Sequence, residues 1–117
     1  MHELSIAEAL TDQVRRHVPR VARVRSVHVV AGPMRAIEPD AMQWAWTAAT
    51  QSTELAGAEL ELELRPWRLE CPECHRGFES KEMFTPCPCG CATTRLVDGD
   101  ELTLQSIEVG DDPLRNG

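Results

Sequence analysis

The chain of 117 residues lacks any apolar run approaching the roughly 18 residues that a membrane-spanning helix needs. It lacks a basic excess as well, since 12 basic and 19 acidic side chains leave a net charge of −7. A chain this acidic is repelled by a phosphate backbone unless its charge is strongly segregated. Its basic residues are scattered, with Arg15, Arg16, Arg20, Arg23 and Arg25 as the one loose cluster. Neither nucleic acid nor a membrane is therefore an expected partner. The first 15 residues carry Glu3, Glu8 and Asp12 in place of the basic stretch and apolar run of a secretory signal. The expected compartment is the cytoplasm. Cysteine is absent from the first 70 positions, and that absence makes its later clustering informative.

Ser5 and Glu8 spell an S-x-x-E capping box, which predicts a first helix with Ser5 as its N-cap. Ile6, Leu10, Val14 and Val18 then recur every four residues, and Pro19 ends the run. "RVRSVHVVA" from Arg23 to Ala31 predicts a strand, with Val27, Val29 and Ala31 on one face and Val24, Ser26, His28 and Val30 on the other; Gly32-Pro33 breaks it. Pro39 suits the first turn of a second helix, whose Met42, Trp46 and Ala49 share one face while Trp44 and Ala48 lie on a neighbouring one. These are expected to be ordinary packing residues. "AELELELRP" alternates Leu60, Leu62 and Leu64 against Glu59, Glu61 and Glu63, a strand with one buried and one wet face. In "GDELTLQSIEV" the parity changes between Leu102/Leu104 and Ile107/Val109, which predicts a strand with a bulge near Gln105 and Ser106.

The expected fold is α/β: a three-stranded sheet packed with two helices, plus a small inserted four-cysteine zinc-binding module. Residues 1–68 and 98–110 would form the α/β domain, 69–97 the zinc module, and 111–117 a loose tail.

The five cysteines are Cys71, Cys74, Cys87, Cys89 and Cys91. Between Glu70 and Leu96 the large apolar residues are Phe78, Met83, Phe84 and Leu96, too few for a core of their own. Clustered cysteine pairs in a reducing compartment point to a metal rather than to disulfides. A tetrahedral Zn²⁺ held by four thiolates can take the place of that core. Cys71-Pro-Glu-Cys74 is a regular half-site. The second half is irregular, with Cys87 and Cys89 favoured because Gly90 follows and relaxes the turn, and with Cys91 as the alternative ligand. Cys71-x-x-Cys74-His75 also spells a c-type haem attachment sequence, but haem would leave three cysteines without a role. Rubredoxin-like iron is a further occupant of the same thiolates. Four thiolates close the coordination shell, so the zinc is expected to be structural and to activate no water. With no nucleophile–base pair elsewhere, an enzyme is not expected.

The chain start offers a different donor set. The α-amine of Met1, the backbone nitrogen of His2 and its imidazole can form adjoining chelate rings, and nitrogen donors in a plane suit Ni(II) or Cu(II). Glu3 adds a carboxylate. Amines and imidazoles ordinarily titrate near about 8 and about 6.5, so such binding weakens as pH falls. The nearby positive end of a helix opposes a cation. His17, His28 and His75 have simpler readings: a last helical turn, a strand position, and a position exposed or beside the metal.

Met1-His2-Glu3-Leu4-Ser5, Glu38-Pro39 opening the second helix, "AELELEL", the four-thiolate module, Gly99-Asp100-Glu101-Leu102 and Ile107-Glu108-Val109 together resemble the HypA/HybF family of hydrogenase nickel-incorporation proteins, over residues 1–109. The resemblance implies a metallochaperone that takes Ni²⁺ as transient cargo at Met1, His2 and Glu3. It implies delivery, with the GTPase HypB, into the large subunit of [NiFe] hydrogenase. It also implies a structural Zn²⁺ on Cys71 and Cys74 and a second pair that usually reads C-P-x-C-G, from which "CPCGC" departs. Counting back from Gly99 then favours Cys89, with Cys87 as the shortened partner and Cys91 as a spare thiol. Assembly as a homodimer is left open. The competing reading is a zinc-stabilised protein-interaction module without nickel function.

Overall fold

The structure, a computed structural model, describes residues 2–19 and 22–110. Met1, Arg20, Val21 and the expected loose tail at 111–117 lie outside the described residues. The elements in order are α1 (His2–His17), β1 (Arg23–Ala31), a single 3₁₀ turn (Pro33–Arg35), α2 (Pro39–Thr50), β2 (Glu59–Leu64), β3 (Trp67–Glu70), β4 (Gly77–Ser80), β5 (Arg95–Asp98) and β6 (Leu102–Gly110). Two compact units result, one of Met1–Val29, Ile37–Glu63 and Thr103–Gly117, the other of Val30–Ala36 and Leu64–Leu102.

The first unit is the expected sheet with two helices. Its strands run in the order β2-β1-β6. As the central strand, β1 is covered on both faces: Val27, Val29 and Ala31 are fully buried, and Val24 and Val30 nearly so. Ile6, Ala7, Leu10 and Val14 line the buried stripe of α1, as the four-residue spacing predicts. Along β6 the partly covered residues are Leu102, Leu104, Ile107 and Gly110; the face changes between Leu104 and Ile107 as the sequence suggests, but Val109, expected beside Ile107, is exposed.

Two details of the helices differ from the sequence reading. The first helix begins at His2, not after Ser5, so Ser5 is an interior helical residue and not the N-cap. The local start signal is overridden by a tertiary contact, because the Glu3 carboxylate accepts a hydrogen bond from the Glu38 amide at the start of α2 (3.2 Å). On α2 the two tryptophans part company. Trp46 is 2% exposed and donates its indole N–H to the Ala58 carbonyl at 2.8 Å, beside Met42 at 1%. Trp44 is 78% exposed, and Ala48 is exposed with it. The apolar stripe is therefore narrower than the sequence suggests, and Trp44 packs in no core. Gln43 donates to the Leu60 carbonyl at 2.9 Å and ties α2 to β2.

The second unit holds a second three-stranded sheet, in the order β4-β3-β5, which the sequence pattern does not announce. Both partners run antiparallel to β3, with Leu69 opposite Phe78 on one side and Leu96 on the other. Leu69, 1% exposed, is the centre of this small unit. Arg68–Asp98 (3.3 Å) and Arg95–Glu70 ion pairs link the β3 and β5 side chains. The segment Val30–Ala36 belongs here because its backbone pairs with the turn before β6: Gly32 N–H donates to Glu101 O and Met34 N–H to Gly99 O, both at 2.8 Å. A side chain at Gly32 would collide with the Gly99 carbonyl. The unit containing the cysteines is thus wider than 69–97. Among the described residues no helix is long and apolar enough to cross a membrane.

Replacing Trp46 by Ala removes a fully packed indole and leaves the Ala58 carbonyl without its donor, a loss of about 3–5 kcal/mol in unfolding free energy. Trp44→Ala is expected to change stability by no more than about 0.5 kcal/mol. Urea titrations of the two variants check this, and equal losses would contradict the assignment of buried and exposed faces.

Candidate metal centre

The cysteine turns are built from backbone amides that no strand engages. The first joins β3 to β4: the Cys71 amide donates to Arg76 O (2.9 Å), the Cys71 carbonyl accepts from His75 N (3.0 Å), and Cys71 Sγ accepts from Cys74 N (3.5 Å). The second turn repeats every bond with one residue removed. The Cys87 amide donates to Cys91 O (2.9 Å), its carbonyl accepts from Gly90 N (3.0 Å), and its Sγ accepts from Cys89 N (3.5 Å). The irregular "CPCGC" is therefore the regular knuckle shortened by one. His75 and Gly90 occupy equivalent left-handed positions, at φ 62° and 106°, which is why a glycine follows the second pair.

Those turns bring Cys71, Cys74, Cys87 and Cys89 together, all four sulfurs lying within 4.8 Å of one another. Cys71 Sγ is 3.7 Å from Cys89 Sγ and Cys74 Sγ is 3.6 Å from Cys87 Sγ. These separations far exceed the roughly 2.05 Å of a disulfide. Cys71 and Cys87 are buried, while Cys74 and Cys89 are exposed. Cys91, the alternative ligand, stands outside the group. Its carbonyl closes the second knuckle, and its thiol donates to Thr93 O at 3.2 Å.

The protonation of the group asks for a cation. The Cys74 amide draws the Cys71 thiol down to about 6, against the effect of burial. Cys87 receives the Cys89 amide in the same way, yet burial and the sulfurs around it push it up to about 12. Four thiols this close cannot all ionise with nothing positive between them. They can do so around a metal ion.

At the other end of the chain, Met1 lies outside the described residues. His2 is exposed and Glu3 half-buried, both in the first turn of α1. The amides of that turn precede the helical hydrogen-bond ladder. The Glu38 amide holds the Glu3 carboxyl below its ordinary value. Glu38 is the N-cap of α2, with its own carboxylate accepting from Ala41 N at 2.6 Å. Sequence reasoning finds Glu3 but not this link, which spans 35 positions. His28 pairs with Glu63 through Nε2 at 3.3 Å, and His17 Nδ1 lies 2.8 Å from Gln13 O in the last turn of α1. His75 is exposed.

Comparison with known proteins bears on the whole chain. The HypA family, described as hydrogenase/urease nickel incorporation metallochaperones, matches residues 1–109. A hydrogenase maturation factor HypA from Geobacter metallireducens is 36% identical over 110 residues, covering 93% of this chain and 99% of that protein. A HypA from a Roseiflexus species is 35% identical over 116 residues, covering 96% and 94%. The solution structure of the Ni metallochaperone HypA from Helicobacter pylori superposes with a TM-score of 0.60 at 21% identity, covering 96% of this chain and 100% of that one. A second HypA solution structure gives 0.57 at 19%, covering 93% of each. The fold is shared with both, and the sequence match runs almost end to end. This chain belongs to the HypA family of nickel-incorporation metallochaperones.

Proposed function

We propose that this chain carries Ni(II) at Met1, His2 and Glu3 and releases it, together with a HypB-type GTPase, into the large subunit of a [NiFe] hydrogenase in the cytoplasm. The observation that carries the reading is the placement of His2, exposed, in the first helical turn at the very start of the chain. The curated relatives, named hydrogenase maturation factors, support the destination. An exposed imidazole in the first turn of α1 suits an ion that must be handed on. The protein acts as a carrier, and the metal is cargo, not a catalyst.

The cysteine group serves a different purpose, and the residues present fit Zn²⁺. For zinc–sulfur bonds of about 2.3 Å, a tetrahedron has edges of about 3.8 Å, close to the 3.6 and 3.7 Å sulfur separations. Cys71, Cys74, Cys87 and Cys89 would hold the ion and leave no open position. When bound, zinc cross-links the two knuckles and supplies the stability that a core around Leu69 alone cannot. For zinc-finger peptides that contribution is about 10–16 kcal/mol near neutral pH. With both Cys71 and Cys74 engaged in the four-sulfur group, the haem reading of Cys71-x-x-Cys74-His75 loses its thiols. An interaction module without nickel function is disfavoured by the family assignment.

Three outcomes follow. Ser replacement of Cys71, Cys74, Cys87 or Cys89 lowers the zinc that copurifies, whereas Cys91→Ser keeps one zinc per chain, as elemental analysis will read; zinc loss in the Cys91 variant would contradict the ligand set. One residue inserted between Met1 and His2 abolishes nickel binding and leaves zinc and the circular dichroism spectrum intact; unchanged nickel affinity sinks the N-terminal site. Acidification releases nickel because protons compete for its amine and imidazole donors, and mild chelation strips nickel before zinc; zinc leaving first with nickel retained contradicts the division of roles.

A further inference from the structure

The start of α2 contains half of a capping box. In the complete motif the N-cap side chain accepts the N3 amide, and the N3 side chain reaches back to accept the N-cap amide. Glu38 performs the first half by accepting from Ala41 N at 2.6 Å. The second half cannot be made within the helix, because N3 is Ala41, whose methyl group accepts nothing. The acceptor comes from α1 instead, with Glu3 Oε2 at 3.2 Å from the Glu38 nitrogen. A motif that is ordinarily local is closed here between two helices.

Its consequence falls on His2. Helix ends fray unless something holds them, and the first turn of any helix is the part its own ladder holds least. The bond from Glu3 to the start of α2 fixes that turn, and it fixes there the residue that precedes Glu3.

We propose that Glu3 is a positioning residue for nickel: its carboxylate completes the α2 capping box in place of the missing N3 acceptor and holds His2 in place for the metal. This refines the Met1-His2-Glu3 site: Met1 and His2 supply the donors, and the Glu3 carboxylate contributes through the clamp and not as a ligand. The inference rests on the reading of the chain start as the nickel site.

Nickel chloride titration into the zinc-loaded full chain tests it, with amide hydrogen exchange at Glu38 followed in nickel-free protein. Glu3→Gln keeps an oxygen acceptor, so it is expected to protect Glu38 and to bind nickel within about twofold of the parent, whereas Glu3→Ala loses the protection and about five- to tenfold in affinity, the size of a lost cap. Adding Ala41→Glu to Glu3→Ala rebuilds the box locally. It should restore protection at Glu38 without restoring nickel affinity, because α1 stays unpinned. A Glu3→Gln loss as large as that of Glu3→Ala overturns the proposal in favour of direct ligation, and recovered nickel affinity in the double variant overturns it as well. A parent chain that protects Glu38 yet binds no nickel overturns the N-terminal nickel site instead, so the two failures are distinguishable.

Discussion

A backbone N–H with no partner in its own helix or ladder must find one elsewhere, and both the cysteine turns and the first turn of α1 are arranged around such groups. In the cysteine turns the spare amides of Cys74 and Cys89 aim at the sulfurs of Cys71 and Cys87. They favour thiolates and fix the direction in which each sulfur points. At the other end, the orphan amide of Glu38 finds the Glu3 carboxylate and draws the first turn of α1 to the start of α2. The same deficiency that would fray an isolated helix or open an isolated turn is met twice by a side chain, a sulfur in the turns and a carboxylate at the helix start.

The two ends differ in what surrounds those donors. Cys71 and Cys87 are buried, and the four sulfurs close on one another. A metal ion taken there is enclosed and acts as part of the fold. His2 is exposed in the first turn of α1. An ion bound at such an end can be reached by another protein's ligands while still attached, which is what transfer requires. On the proposed reading, burial and donor chemistry separate the metal that is kept from the metal that is passed on.

Much of this was legible in the residues. The leucine–glutamate alternation of β2, the valines of β1 and the four-residue spacing of α1 specify their own faces, since each period is local. The cysteine spacing pointed to a cluster of sulfurs, and Cys71, Cys74, Cys87 and Cys89 do lie together, with a left-handed turn at Gly90 after the second pair. What escaped depended on contacts far apart in sequence. Strands β3, β4 and β5 have four residues each, too short to show a period, and they exist as a sheet around Leu69. Ser5 spells a helix start that Glu3 overrides through a residue on another helix. Trp44 and Trp46 look alike in composition, and only the direction in which α2 packs separates them.

The central claim is that one chain keeps two metals in chemically distinct places. X-ray absorption at the zinc and nickel edges, on protein loaded with one equivalent of each, tests it most directly. The account predicts zinc surrounded by four sulfurs and nickel surrounded by nitrogen and oxygen with no sulfur. Nickel found among sulfurs, or zinc with fewer than four, would contradict it.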